Sequence, residues 1–220
     1  MNEDYIELTK LVGNLLDAPG MGGNISVKCN GYMKVKASGQ DMKIANHSTS
    51  KVLNDKTYEG PKPSMEYLMH LAIDSKYVVH YHPVYVLPHL CSDYKFQFGA
   101  TLDYVNPGVE LADAVSKVYK TEKIIFLRNH GVIIHGDTLT AVKQQYHLIR
   151  LNFLESNFMP YTPDDVVDSN NVELYLFRKY IELFSIVNKL KLNTLSDETV
   201  AHLNNDMNEK YRMNTRMETV

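Results

Sequence analysis

Residues 25–37 read Ile25-Ser26-Val27-Lys28-Cys29-Asn30-Gly31-Tyr32-Met33-Lys34-Val35-Lys36-Ala37, two alternating apolar/polar runs separated by Asn30-Gly31. Alternation with a period of two marks a half-buried strand, and Asn-Gly favours the positive φ angles of a two-residue hairpin turn. The stretch therefore predicts two antiparallel strands. Upstream, Ile6, Leu8, Leu11, Val12, Leu15 and Leu16 recur at helical spacing and predict an amphipathic helix over 3–18, ended by Pro19-Gly20. Downstream, residues 41–62 are polar and show no period, and Pro61 and Pro63 lead into a helix with Ser64 as its N-cap. A short apolar strand runs from Val78 to His82 and stops at Pro83. Helical spacing follows over 84–90, a sheet region near 96–104, a helix over 108–120 and a strand pair within 123–135. Further helices are expected near 138–158, 172–190 and 196–211. Strands and helices alternate, but the hairpin makes part of the sheet antiparallel. The fold class is therefore α/β or α+β, with helices covering a mixed sheet.

The chain has 220 residues, 44% hydrophobic and 22% charged, which suits one domain over 1–220 and excludes disorder, collagen-like fibre and coiled coil. Lys+Arg number 23 against 26 Asp+Glu, a net charge of −3, so there is no basic field for nucleic-acid phosphates or an anionic membrane. Two cysteines, Cys29 and Cys91, form no CxxC motif and cannot build a disulfide framework or a thiolate zinc site. The acidic start MNEDYIELTK is unlike a signal peptide, and no apolar run reaches membrane-spanning length. A cytoplasmic protein is expected.

His80-Tyr81-His82 carries the chemistry. On a strand, alternate residues share a face, so two imidazoles stand together while Tyr81 points away. Such a pair suits a metal ion, or else two hydrogen-bonded surface histidines, and needs further ligands to decide. His130, at the turn Arg128-Asn129-His130-Gly131, offers a third nitrogen, and Glu66 offers a carboxylate for the metal or for acid/base work. Three neutral histidines leave a zinc position open for substrate, the catalytic arrangement. His70 lies four residues beyond Glu66 on the same helix face; it is within reach of that carboxylate, although a structural role is the simpler reading. Residues 20–26 open a strand rather than a helix, so they fit neither a dinucleotide fingerprint nor a P-loop. They still offer backbone amides to an anion, as do the turns Ala37-Ser38-Gly39-Gln40 and Pro63-Ser64.

Taken in order, Gly22-Gly23-Asn24-Ile25-Ser26, Ala37-Ser38-Gly39, Pro63-Ser64-Met65-Glu66, His80-Tyr81-His82-Pro83 and Asn129-His130-Gly131 resemble the class II aldolase/adducin family, with Leu195-Ser196-Asp197-Glu198 similar to its sugar-phosphate aldolases. The resemblance implies a three-layer α/β/α fold with a central, largely antiparallel sheet, and a homotetramer with active sites between subunits. It implies metal ligands His80, His82 and His130, with Glu66 as a further ligand and the acid/base residue. Asn24, Ser38, Gly39 and Ser64 would hold a substrate phosphate. The implied cofactor is Zn²⁺, or Mn²⁺ or Co²⁺, and the implied activity is an aldolase stabilising an enediolate from a ketose or ketose phosphate. An epimerase, dehydratase or decarboxylase of the same family uses the same chemistry, and a non-catalytic adducin-like binding module is the alternative of another class. Met65 stands where the aldolases usually carry a second serine. The loop expected to carry a catalytic tyrosine is shortened around Asp93–Phe98, leaving Tyr94 a poor substitute and Tyr211 the candidate from the C-terminal segment. The helix near 172–190 reads as an insertion.

Overall fold

The computed structural model describes residues 3–19, 21–44, 48–154, 179, 181, 182 and 184–211. The predicted hairpin forms: β1 (Asn24–Cys29) pairs antiparallel with β2 (Tyr32–Lys36), with Ser26 opposite Val35 and Cys29 opposite Tyr32. Of the two turn residues only Gly31 takes a positive φ, 81°. The polar stretch 41–62, without a period in the sequence, contributes β3 (Thr49–Leu53) and the two-residue β4 (Tyr58–Glu59), both added antiparallel beyond β2.

On the other side of β1 lie β5 (Tyr77–Tyr81), β8 (Gly131–Gly136), β7 (Ile124–Leu127) and β6 (Ala100–Leu102). The order across the eight-stranded sheet is β4-β3-β2-β1-β5-β8-β7-β6, antiparallel except for the β6–β7 pair.

Helices cover both faces, as strand alternation requires. Tyr77, Val79, Tyr81, Ile124, Phe126, Val132 and Ile134 face one core, with α1 (Glu3–Val12), α3 (Leu87–Leu90) and α5 (Leu139–Phe153) above them. Val78, Ile125, Leu127 and Ile133 face the other, with α2 (Tyr67–Ala72) and α4 (Val109–Ser116). The result is the expected α/β three-layer arrangement with a mixed, largely antiparallel sheet. A last helix, α6 (Asp197–Asn205), is capped by Ser196, whose side chain accepts from Thr199 N–H. No described helix is long and apolar enough to cross a membrane.

Three boundaries differ from the sequence reading. The first helix stops at Val12 rather than 18, because Asn14 Oδ1 accepts the N–H groups of Leu16 and Asp17 and turns the chain. Ser64 is not the N-cap of the next helix: α2 begins at Tyr67 after Glu66, whose side chain makes no capping bond. The sheet region expected near 96–104 is a strand of only three residues, Ala100–Leu102. Of the helix expected near 172–190, residues 172–178, 180 and 183 lie outside the described residues, and 179, 181, 182 and 184–187 are helical.

Three histidines, His70 and His135 buried and His89 half-buried, are held neutral by desolvation. Desolvation lowers His70 to about 3, and His89 and His135 to about 4, from an ordinary 6.5. His135 Nδ1 meets Ser75 Oγ at 2.9 Å and its Nε2 lies 3.0 Å from the Glu122 carbonyl, far from any site described below. Between pH 4 and 6.5 the unfolded chain binds protons that these folded imidazoles refuse, so stability is full above 6.5 and lost as pH falls. The urea midpoint is expected to be flat above about pH 7 and to decline toward pH 4, with a shallower decline in His135→Gln. Parallel wild-type and variant curves would contradict this.

Candidate metal centre and the cavity around it

His80 sits in β5 between two antiparallel neighbours, opposite Asn24 of β1 and Ile133 of β8. Its Nδ1 donates to the Val132 carbonyl at 3.1 Å, which leaves Nε2 as the nitrogen with a free lone pair. His82, one residue past the strand end, shares His80's face, with its Nε2 3.0 Å from His80 Nε2. His130 comes from the β7–β8 turn, where Asn129 takes a left-handed φ of 53° and is anchored by its own Nδ2–H to the Asn193 carbonyl at 2.7 Å. One ligand atom from each of the three imidazoles falls within 4.8 Å of the others.

Glu66 completes the cluster. Its Oε1 lies 3.1 Å from His130 Nε2 and its Oε2 3.5 Å from His80 Nε2. The residue is 6% exposed. Burial pushes the carboxyl up, but His80, His130 and His82 outweigh it and hold Glu66 well below the usual carboxylate range. Glu66 Oε1 and His130 Nδ1 make no hydrogen bond with the described residues. Three imidazoles and a carboxylate converging in this way, with acceptor atoms facing one another, are the donor set of a divalent metal and could hold one.

A chain of hydrogen bonds fixes the carboxylate from behind. Ser26 Oγ meets His70 Nδ1 at 2.7 Å, His70 Nε2 bonds Asn24 Oδ1, and Asn24 Nδ2 donates to Glu66 Oε2 at 2.7 Å and Ser64 Oγ at 2.9 Å. With Asn24 Oδ1 as the acceptor, His70 Nε2 carries the proton and Nδ1 accepts from Ser26. His70 thus reaches Glu66 through Asn24 rather than directly. Asn24, expected at a phosphate, has both amide hydrogens engaged by Glu66 and Ser64.

The glycines of the motifs have a packing reason. A Cβ on Gly131 would stand 2.5 Å from His82 Cδ2 and 2.7 Å from the Tyr81 carbonyl, and one on Gly22 would meet His82 Nδ1 at 2.9 Å. Gly23, at φ 71°, would collide with the His80 carbonyl at 2.5 Å.

The cluster opens into a cavity of about 410 Å³. Its lining brings together Asn24, Ser38, Gly39 and Ser64 and adds Lys36, which the sequence reading missed. Lys36 is 2% exposed, its ammonium donating to the main-chain carbonyls of Gln40 at 2.6 Å and Met21 at 3.3 Å. Tyr104, also missed, closes another side. The two tyrosines weighed earlier lie elsewhere. Tyr94 packs against His89, Phe96 and Phe153, and Tyr211 is 40% exposed under Lys62 Nζ, outside the cavity lining.

A three-layer α/β protein with a carboxylate-backed histidine cluster at the end of a central strand, able to hold a divalent metal, belongs to a recognisable class. Residues 3–151 match the family described as the class II aldolase and adducin N-terminal domain, and the chain belongs to that family. It is 27% identical over 157 residues to an L-fuculose phosphate aldolase of Methanococcus vannielii, covering 63% of this chain and 85% of that one. The fold is shared with the N-terminal class II aldolase domain of a conserved Thermoplasma acidophilum protein, at TM-score 0.56 and 23% identity over 67% of this chain and 92% of that one. It is shared as well with a sugar-phosphate aldolase of Thermotoga maritima, at TM-score 0.52 and 21% identity over 73% and 98%.

Gly131→Ala should displace the His80 and His82 rings and reduce metal uptake from about one ion per chain to a small fraction, read by elemental analysis after equilibration with zinc. Full uptake in a variant that keeps its circular dichroism spectrum would contradict the packing account.

Proposed function

We propose that the protein is a metal-dependent carbon–carbon lyase that cleaves or forms a ketose or ketose phosphate. One observation carries the reading: the His80, His82, His130 and Glu66 cluster shares a single cavity with the anion-suited wall of Lys36, Ser38, Gly39 and Ser64. A ketose phosphate needs both, a Lewis acid at its carbonyl and donors for its phosphate at the other end.

A divalent ion held by the three imidazoles, zinc in the first instance and manganese or cobalt as substitutes, would supply the charge that stabilises an enediolate. The rest falls to the chain's own groups. His80 is oriented by Val132 and offers Nε2. Glu66, ionised and backed by Asn24 through Oε2, presents Oε1 to the cavity as the base that takes a proton from the substrate carbon and returns it. Ser38, Gly39 and Ser64 donate to the substrate's anionic group, and Lys36 adds a buried positive charge beside them.

The same base and anion wall would serve a 4-epimerase, a dehydratase or a decarboxylase, whose first steps differ only in which substrate bond is weakened. A silent adducin-like module has no use for an intact histidine set with a buried carboxylate. We propose a homotetramer with active sites between subunits; Tyr211 lies outside the lining of its own chain's cavity, which is compatible with a role at a neighbour's.

Glu66→Gln is expected to keep its metal while turnover falls by at least about 100-fold, and His82→Ala to lose the metal as well. Metal content and the rate of ketose cleavage, measured on the same preparations, decide it. A Glu66→Gln variant of undiminished rate, or a His82→Ala variant with a full complement of metal, would sink the assignment.

A further inference from the structure

Tyr104 follows β6 in the extended segment that leads to Pro107, Gly108 and α4. Arg128 N–H donates to the Leu102 carbonyl at 2.9 Å and fixes the strand end from which the segment departs. The Tyr104 hydroxyl is buried and has no hydrogen-bond partner among the described residues. Tyr5 and Tyr81 share that property, but their rings belong to the helix-covered core, whereas Tyr104 lines the metal cavity together with Glu66, His82 and His130. A buried hydroxyl without a protein partner is costly, and at the wall of a cavity it is a donor awaiting a ligand.

Tyr104 also lines a second space. A polar groove of about 340 Å³ adjoins the cavity and is bounded by Asp93, Lys95, Asp103, Arg128 and Asn193, with Tyr104 and Asn129 common to both. A substrate longer than the cavity would lie across this junction, with its ketone half at the histidines and its remaining hydroxylated carbons in the groove. The bond between the halves then passes Tyr104. Burial and the nearby carboxylates of Glu209, Glu110 and Glu66 push this phenol up from its ordinary value, so it is a protonated donor at neutral pH.

We propose, on the lyase reading above, that Tyr104 is the proton donor to the aldehyde half of the substrate, and that the Asp93–Arg128 groove holds the hydroxylated carbons beyond that aldehyde. In the bond-forming direction the ketone-derived carbon contributes the electron pair of the new C–C bond. The aldehyde C=O pair moves onto oxygen, that oxygen takes the Tyr104 proton, and the phenolate is reprotonated by water. Cleavage is the reverse: water first takes the Tyr104 proton, and the phenolate Oη then accepts the substrate hydroxyl proton as the C–C pair returns to the ketone half. Glu66 handles the proton on carbon and Tyr104 the proton on oxygen, so the two roles are separable.

The test is Tyr104→Phe in the metal-loaded full chain, with dihydroxyacetone and its phosphate as ketone probes and glycolaldehyde as the aldehyde. Exchange of the ketone's α-hydrogen with solvent deuterium, followed by NMR, needs Glu66 but not Tyr104 and is expected within about 3-fold of wild type. C–C bond formation is expected to fall at least about 100-fold. Metal content should be unchanged, and the melting temperature should rise by about 2–4 °C, because a buried unpaired hydroxyl has been removed. A merely structural tyrosine would instead lower the melting temperature. That result, or unchanged bond formation, or an equal fall in exchange and bond formation, would overturn the assignment while leaving the lyase reading intact. If metal-loaded wild type neither exchanges nor condenses any of these probes, the lyase reading fails and the assignment falls with it.

Discussion

Everything at the site depends on the register between β1 and β5, which sets Asn24 opposite His80. That pairing puts the residue that holds Glu66 beside a histidine that faces Glu66. On the opposite edge of β5, β8 supplies the Val132 carbonyl that selects the His80 tautomer. A slip of one residue would turn His80 and Asn24 into the other core, among Tyr77, Val79 and Tyr81. The glycines enforce the same register by contact: Gly23 and Gly131 lie against His80 and His82 from either side, where any side chain would separate the strands or displace the rings.

The register also explains why so polar a cluster is tolerated in a buried place. A carboxylate removed from water is expensive unless it is paired, and Glu66 accepts from Asn24 on Oε2 and keeps Oε1 3.1 Å from His130 Nε2, the oxygen left for a ligand. The polarity of the chain Ser26 to His70 to Asn24 to Glu66 is one-directional, because each member's donor is consumed by the next. Protonating His70 would reverse its bond to Ser26, and burial prevents it. The network therefore delivers Asn24's N–H groups, not its oxygen, to the carboxylate, and keeps Glu66 ionised.

What was legible in the sequence was local. The Asn30-Gly31 hairpin and the alternation of His80 and His82 depend on neighbours within a few residues, and both hold. Glu66 and His130 were named from residue type, and the order of the family motifs, rather than any periodicity, tied them to the His80-His82 strand. The strands β3 and β4 were not legible, since five residues of which only Ser50 and Val52 are buried, followed by an exposed pair, leave almost no hydrophobic pattern. The end of α1 escaped because Leu15 and Leu16 keep the helical spacing while Asn14 takes over the backbone N–H groups. Lys36 read as one polar position of an alternating strand, and Tyr104 as one of 15 tyrosines in an unpatterned segment. Each acquires meaning only from what the sheet brings near it. His70 was visible at the right spacing from Glu66, but the partner between them, Asn24, lies on a different element.

Lys36 bears on the loss of the serine that Met65 replaces. Losing a serine hydroxyl removes one neutral hydrogen bond to a substrate anion, a contribution of about 0.5–1.5 kcal/mol, whereas a hydrogen bond from a charged donor contributes about 1.5–3 kcal/mol. The ammonium of Lys36, fixed by the Met21 and Gln40 carbonyls beside Ser38 and Ser64, is of the second kind. Its position also matters more than its count: a single buried charge acts across the low-dielectric cavity, while a hydroxyl acts only on the atom it touches. On the proposed lyase reading, the substitution at Met65 would change how an anion is gripped and leave the wall's preference for an anion in place, favouring a phosphorylated or otherwise acidic ketose over a neutral one.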